Sequence, residues 1–275
     1  MSTPSTTGLA DLARRVDPDR FLTALFAPQD RREGVLALIA FNNELVRAVE
    51  MPSARSGAGP VASFIRLQWW REVVENTRSD WHGHPVADAV RMAIDAGGVQ
   101  GSTLERIIAA RETEADGLDS VEAWRTAMRD GNGGLQRAVA EQLGVPDALL
   151  PRIEAAGAAY GCGALRRHLG TALRTGRCPL PDEMLADAGT SRESLQHELR
   201  PELVDALSDA LAQQGRVFGA EAGMIRLKRE QIAAVLPLTL ALRDLRQHQP
   251  SGARGFRDRL AVLAAYASGR AGAMR

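Results

Sequence analysis

The chain has 275 residues, and its 34 basic and 34 acidic side chains give a formal net charge of zero. This length suffices for a buried core in one large or two small domains. The balanced charge argues against a general nucleic-acid binder, which needs a basic excess to displace counterions. Only 4% of the residues are aromatic, and the recurrence of alanine, leucine and arginine favours helix.

Helical periodicity, together with cap and breaker residues, organises the whole chain. Asp17 and Pro18 indicate a helix start, because aspartate is a good N-cap and proline fits the first helical position. Ser102 is predicted to cap another helix, with Glu105 completing a capping box. We predict helices after Ser102 and over residues 9–16, 18–27, 29–50, 60–77, 86–96, 120–129, 135–143, 151–173, 181–188, 191–198, 201–222, 229–246 and 255–268.

The segments between these helices do not divide the chain into separate domains. No run of alternating β-branched residues and no internal repeat is present, and the 51–60 linker is too short to separate domains. The G-N-G-G run at 131–134 is predicted to be a break or kink. We expect a flexible tail with a short helix over 1–16 and one all-α domain over 17–275.

Cellular location follows from the cysteines and the apolar runs. Two cysteines, Cys162 and Cys178, cannot form a disulfide framework, so a reducing cytoplasm is expected. The polar segment 1–8 lacks the apolar core of a signal peptide. The longest apolar runs, such as 233–242, are far shorter than a bilayer span, so we expect no transmembrane segment. A position at the membrane periphery is compatible with this sequence.

Two segments with apolar stripes carry the strongest motifs. Residues 37–50 read A-L-I-A-F-N-N-E-L-V-R-A-V-E, and residues 64–71 read F-I-R-L-Q-W-W-R. Together they resemble the first two signature helices of the squalene/phytoene synthase family, whose first helix carries three aspartates that hold magnesium and a diphosphate. The corresponding positions here are Val46, Arg47 and Glu50, so two of the three acids are absent.

A third segment resembles the second aspartate motif of the same family, which ends a long helix. Residues 168–181 read H-L-G-T-A-L-R-T-G-R-C-P-L-P and keep the tail of that motif. The two aspartate positions hold His168 and Ala172. An i, i+4 pair of carboxylates would bridge a metal ion, and neither carboxylate is present. The coincident loss in both motifs indicates that Mg²⁺-dependent ionisation has been abandoned.

Basic residues stand where the family keeps acids, and a direct, metal-free contact with an anion is one interpretation of them. The alternative is that these arginines point to solvent or pair with nearby acids. The candidate ligand- or anion-binding residues, with no metal site, are Arg47, Glu50, Arg167, His168, Arg174 and Arg177. Arg166 adds to the same positive charge.

The resemblance implies the isoprenoid-synthase fold, an all-α bundle around a central cavity. The first motif looks most like a divergent branch that includes a mitochondrial assembly factor of respiratory complex I. We therefore expect a non-catalytic assembly or lipid-binding scaffold without a cofactor, whose cavity accepts a prenyl or lipid ligand and whose protein partner acts in respiratory-complex assembly. One alternative is an active, Mg²⁺-dependent prenyl transferase that condenses two prenyl diphosphates head to head. Another is a helical interaction module with a filled core.

Overall fold

A computed structural model describes residues 6–50, 59–77, 80–197, 199–247 and 254–272, and only the backbone of Thr6, Thr7, Glu50, Gly59 and Pro60. Within these ranges the chain is almost entirely helical, which confirms the predicted all-α class. The α-helices are α1 (Thr6–Val16), α2 (Pro18–Ala24), α3 (Gln29–Glu50), α4 (Gly59–Glu75), α5 (Pro85–Asp95), α6 (Gly101–Asp116), α7 (Val121–Met128), α8 (Gly134–Gln142), α9 (Leu150–Arg174), α10 (Asp182–Asp187), α11 (Arg192–His197), α12 (Pro201–Ala222), α13 (Leu236–Arg246) and α14 (Phe256–Ser268).

Cap residues explain where several of these helices begin. The Asp17 side chain accepts a hydrogen bond from the backbone N–H of Arg20 at 2.9 Å, as the Asp-Pro start predicts. The predicted cap at Ser102 is wrong, since α6 already begins at Gly101 and Ser102 lies in its first turn. The carboxylate of Glu141 instead accepts the backbone N–H of Gln100 at 3.1 Å. The side chain that supplies this acceptor is distant in sequence, so the residues next to Gln100 contain no signal for it.

The glycine-rich run at 131–134 does not break the helix. Residues Arg129–Gly133 form a π-helical turn that joins α7 directly to α8. A Cβ atom on Gly133 would lie 2.6 Å from the backbone oxygen of Glu154 on α9. The glycines in this turn therefore allow two helix backbones to touch.

Helix α9 is the centre of the bundle, packed against α12, α13, α8 and the π-helical turn. Its small residues make close contacts: a Cβ atom on Gly157 would lie 2.6 Å from the backbone oxygen of Asn132. On α12, a Cβ atom on Gly215 would lie 3.0 Å from the Cβ of Cys162. At these positions the small residues of α9 and α12 allow close helix packing.

The C-terminal region departs from the predicted helices. The expected helix over 229–246 is shorter, because Ile232–Ala234 forms a 3₁₀ turn and α13 begins at Leu236, next to Pro237. A two-residue antiparallel ladder pairs β1 (Ile225–Arg226) with β2 (Arg270–Ala271). A ladder this short has no periodic sequence pattern. Among the described residues, no helix has the length and apolarity to cross a bilayer.

Candidate functional site

The first motif lies in the last turns of α3. Val46 is half-buried, and Arg47 is exposed, with its Nη1 3.5 Å from Oε1 of Glu44 one turn earlier. The side chain of Glu50, the one acid kept from the motif, lies outside the described residues. The described part of this motif therefore presents an arginine where the family presents carboxylates.

The second motif lies in the last turns of α9. His168 is exposed, whereas Ala172, one turn later, retains only 7% of its accessible surface. The helical spacing that would aim two carboxylates in one direction is preserved, but neither side chain is a carboxylate. Within the described ranges, no group of three or more His, Cys, Asp or Glu residues is arranged to hold a metal ion.

Arg166, beside the second motif, is a structural residue. Its guanidinium is buried and donates through Nε to the backbone oxygen of Ser208 at 3.0 Å and to the Ser208 hydroxyl at 2.9 Å. Nη1 donates to the backbone oxygen of Asp244 at 2.7 Å. Burial lowers the pKa of Arg166, and the nearby Asp209 carboxylate opposes that effect. These contacts join α9 to α12 and α13.

Arg167 belongs to a second internal network, formed by two arginines and two aspartates. Its Nη1 donates to Oδ1 of the fully buried Asp244 at 3.1 Å. Arg254 donates to both Asp244 oxygens at 2.7 Å and to Asp19 on α2. Burial works to lower the pKa of Arg254, but the hydrogen bonds to Asp19 and Asp244 outweigh it and raise that pKa. Arg167 is therefore part of a buried charge network between helices.

The loop that follows α9 is tied down by its neighbours. Arg192 donates to the backbone oxygens of Cys178 at 2.7 Å and Leu180 at 2.5 Å, and the Trp124 indole donates to that of Pro179 at 3.0 Å. This part of the second motif, which matches the family, thus keeps a structural role. The basic residues near it, Arg174 and Arg177, are exposed.

A pocket with a volume of about 270 Å³ opens between α3, α4 and the start of α5. We call it the α3–α4 pocket. No residue of α9 lines it, so it lies away from the central helix. Besides Ala48, its lining consists of polar and aromatic side chains: Glu44, Arg47, Arg66, Trp69, Trp70 and His84.

The aromatic wall of this pocket comes from the second motif segment and from His84. Trp70 is buried and its ring packs edge-on against Phe41, with centroids 5.2 Å apart, whereas Trp69 is half-buried. The centroid of the His84 ring lies 5.4 Å from the ring centroids of both tryptophans. The Nδ1 atom of this histidine accepts the backbone N–H of Ala87 at 3.3 Å and caps α5.

The candidate residues named from the sequence do not lie around one pocket. Arg47 lines the α3–α4 pocket, Arg167 binds Asp244 in the interior, and Arg177 lines a smaller pocket of about 90 Å³ beside α11. Sequence reasoning missed Arg66 and His84 as pocket residues. The R-L-x-x-W-R match was a signal for Arg66, but it indicated family membership rather than a cavity.

Comparison with solved structures identifies the fold. A dehydrosqualene synthase, solved in complex with ligand, superposes with a TM-score of 0.71 at 14% identity, over 96% of this chain and 95% of its own. A squalene synthase from Alicyclobacillus acidocaldarius superposes with a TM-score of 0.60 at 16% identity, over 96% of this chain and 94% of its own. The all-α bundle is therefore an isoprenoid-synthase-type fold.

Sequence comparison identifies the family to which the chain belongs. The family model for squalene/phytoene synthase matches residues 13–266, and the chain belongs to this family. Complex I assembly factor 6 of Mus musculus is 29% identical over 140 residues, which cover 50% of this chain and 40% of that protein. The human protein of the same name is 30% identical over 107 residues, covering 38% of this chain and 31% of its own length. The matched region thus spans two fifths or less of these curated relatives.

Proposed function

We propose that this chain is a non-catalytic member of the squalene/phytoene synthase family that acts as an assembly or lipid-binding scaffold. One observation carries the proposal: the first motif lacks two of the three acids that would hold magnesium, and the second motif lacks both of its acids. Val46 and Arg47 replace two acids on α3, and His168 and Ala172 replace both on α9. Magnesium requires several hard oxygen ligands, and Glu50 alone cannot supply them. In this proposed role the protein needs no metal cofactor.

The packing of the described residues supports this proposal. Near the second motif, the guanidinium groups of Arg166 and Arg167 bind internal acceptors, and the small residues of α9 bring neighbouring helices into contact. An anion-attracting role for His168, Arg174 and Arg177 stays part of the proposal, because these three side chains are exposed. Arg167 is less suited to that role, since it is already paired with Asp244.

The nature of the partner is suggested by the assembly-factor relatives. By analogy with complex I assembly factor 6, we propose a protein partner in respiratory-complex assembly. An apolar cavity that accepts a prenyl or lipid chain is compatible with the same role.

Catalysis is tested by incubating the purified chain with farnesyl and geranylgeranyl diphosphates and Mg²⁺. We expect no pyrophosphate release above that of the buffer. The dehydrosqualene synthase that shares the fold, assayed in parallel, provides the positive control. Release at a rate comparable to that enzyme would establish the alternative, an active prenyl transferase.

The scaffold role is tested in the organism that encodes the chain. Deletion of the gene should reduce the amount of assembled respiratory complex I on native gels. Re-expression of Glu50→Gln, which removes the last acid of the first motif, should restore assembly as fully as the unchanged chain. An enzymatic role predicts that this variant fails. Normal complex levels after deletion contradict the assembly role.

A further inference from the structure

We propose that the α3–α4 pocket binds a small anion, a carboxylate or phosphate monoester, that carries a short aromatic body. This site goes beyond the proposed scaffold function and does not depend on it. Of the motif positions and candidate anion-binding residues whose side chains the structure describes, only Arg47 lines it. The proposal rests on three properties of the pocket: a guanidinium with one buried nitrogen atom that has no partner among the described residues, an excess of positive charge and an aromatic wall.

The cationic group with a buried nitrogen atom is the guanidinium of Arg66, whose side chain as a whole is half-buried. Its Nη1 atom is buried and has no hydrogen-bond partner among the described residues. A buried donor without an acceptor costs free energy, and more so when the donor is charged. Arginine presents its donors in a planar fork that matches the oxygen atoms of a carboxylate or a phosphate. Because the Arg66 side chain lines the pocket, an anionic ligand bound there would supply an acceptor for this guanidinium.

The charge of the pocket also favours an anion. Arg47 and Arg66 contribute two positive charges, and Glu44 contributes one negative charge. Arg47 lies 3.5 Å from Glu44, but 61% of its side chain is exposed. An ion pair this exposed contributes little free energy, so Arg47 can turn toward a ligand at small cost. The mouth of the pocket therefore carries an available second guanidinium.

The aromatic wall determines the rest of the ligand. The Trp69 and Trp70 rings are 4.8 Å apart and nearly perpendicular, at 84°. With His84 they offer both ring faces and ring edges, the geometry that aromatic ligands prefer. The volume of about 270 Å³ is just below the range of about 300–1,000 Å³ typical of small-molecule sites. A one- or two-ring body fits this space, whereas a long prenyl or acyl chain does not.

The probe for this site is 1-naphthyl phosphate, titrated by calorimetry in the presence of EDTA. We expect saturable binding that needs no metal ion. Two compounds serve as controls: 1-naphthol lacks the anion, and inorganic phosphate lacks the rings. Each should bind at least about tenfold more weakly than the probe, because each loses one of the two sets of contacts. Absence of saturable probe binding would overturn the proposal.

Variants locate the binding site. Arg66→Met keeps the apolar stem but removes the guanidinium, and should weaken probe binding at least about tenfold. Arg47→Met, at an exposed position, provides a second test that is safe for folding, with an expected loss of about threefold. Arg257→Met, an exposed arginine on α14, is the matched control and should bind as the unchanged chain does. Circular dichroism checks that each variant is folded.

The outcomes separate this proposal from the proposed function. Equal probe affinity in Arg66→Met and in the unchanged chain would place the site elsewhere and overturn the inference, while the scaffold role would be unaffected. Pyrophosphate release in the prenyl diphosphate assay would overturn the non-catalytic role and leave the EDTA-resistant probe binding standing.

Discussion

Arginines at two places in the bundle meet different surroundings. Around α9, the buried Arg166 and the half-buried Arg167 bind serine and aspartate groups of α12 and α13. Between α3 and α4, Arg66 has a buried nitrogen atom without a partner among the described residues, and Arg47 is 61% exposed. Positive charge in a degenerate motif therefore does not by itself indicate an anion site. A guanidinium that already has its acceptors, as those of Arg166 and Arg167 do, is less available to an external anion.

The largest effect is expected from Asp244→Ala, which removes the shared acceptor of Arg167 and Arg254. The Asp244 side chain is only 1% exposed. Its loss leaves two guanidinium groups in the interior without this carboxylate, at a cost of about 3–5 kcal/mol in the free energy of unfolding. Urea denaturation measures that loss.

Asp209→Ala is the control for this prediction. Asp209 pairs with Arg166 at 3.3 Å, but 63% of its side chain is exposed. We expect its removal to cost less than about 1 kcal/mol. A similar small cost for Asp244→Ala would show that the α9 network is not a stabilising element.

The same substitution in both regions sharpens the contrast. Arg166→Met removes the buried guanidinium that donates to the Ser208 hydroxyl and to the Asp244 backbone oxygen, which should cost about 2–4 kcal/mol of unfolding free energy. Arg66→Met removes a donor that lacks a partner and keeps the apolar stem, so its cost should stay below about 1 kcal/mol. Thermal or urea unfolding of the two variants side by side decides the matter. Equal losses would mean that Arg66 is as structural as Arg166.

Two glycines on α9 are expected to have smaller effects than Asp244 and Arg166. A Cβ atom on Gly157 would lie 2.6 Å from both the backbone oxygen of Asn132 and the Cβ of Gln136, so Gly157→Ala should destabilise by about 1–3 kcal/mol. On Gly170 the nearest atom, the Arg174 Nη1, would lie 3.5 Å away. Gly170→Ala should therefore stabilise by about 0.5–1 kcal/mol through helix propensity. A neutral Gly157→Ala, measured by urea unfolding, would show that the centre is loosely packed.

Local signals predicted most of the fold. The Asp17 cap, the helix over 29–50 and the helix over 201–222 could be predicted because caps and apolar spacing act within a few residues. The Ser102 cap and the long helix over 229–246 were wrong. In both regions a tertiary contact or an interior proline overrides the local pattern.

The candidate site was less accessible from the sequence. The motif positions could be assigned residue by residue, because the surrounding letters match the family. The contacts of these side chains could not be predicted. Asp244 lies 77 residues after its partner Arg167, and His84 contacts Trp69 only because the loop before α5 packs against α4. Such contacts depend on helix packing, and nothing in the local spacing records them.

The contacts of the Arg254 side chain affect how the protein unfolds. It donates to Asp19 on α2, which lies 235 residues earlier in the chain, and to Asp244 on α13. A contact of such high sequence separation forms only after the intervening chain has been placed. Detaching α2 would break the hydrogen bonds between Arg254 and Asp19. The guanidinium of Arg254 would then keep only the carboxylate of Asp244 as its partner in this network. We therefore expect the backbone amides of α2 and of the last turn of α13 to exchange with deuterium together, as one cooperative unit.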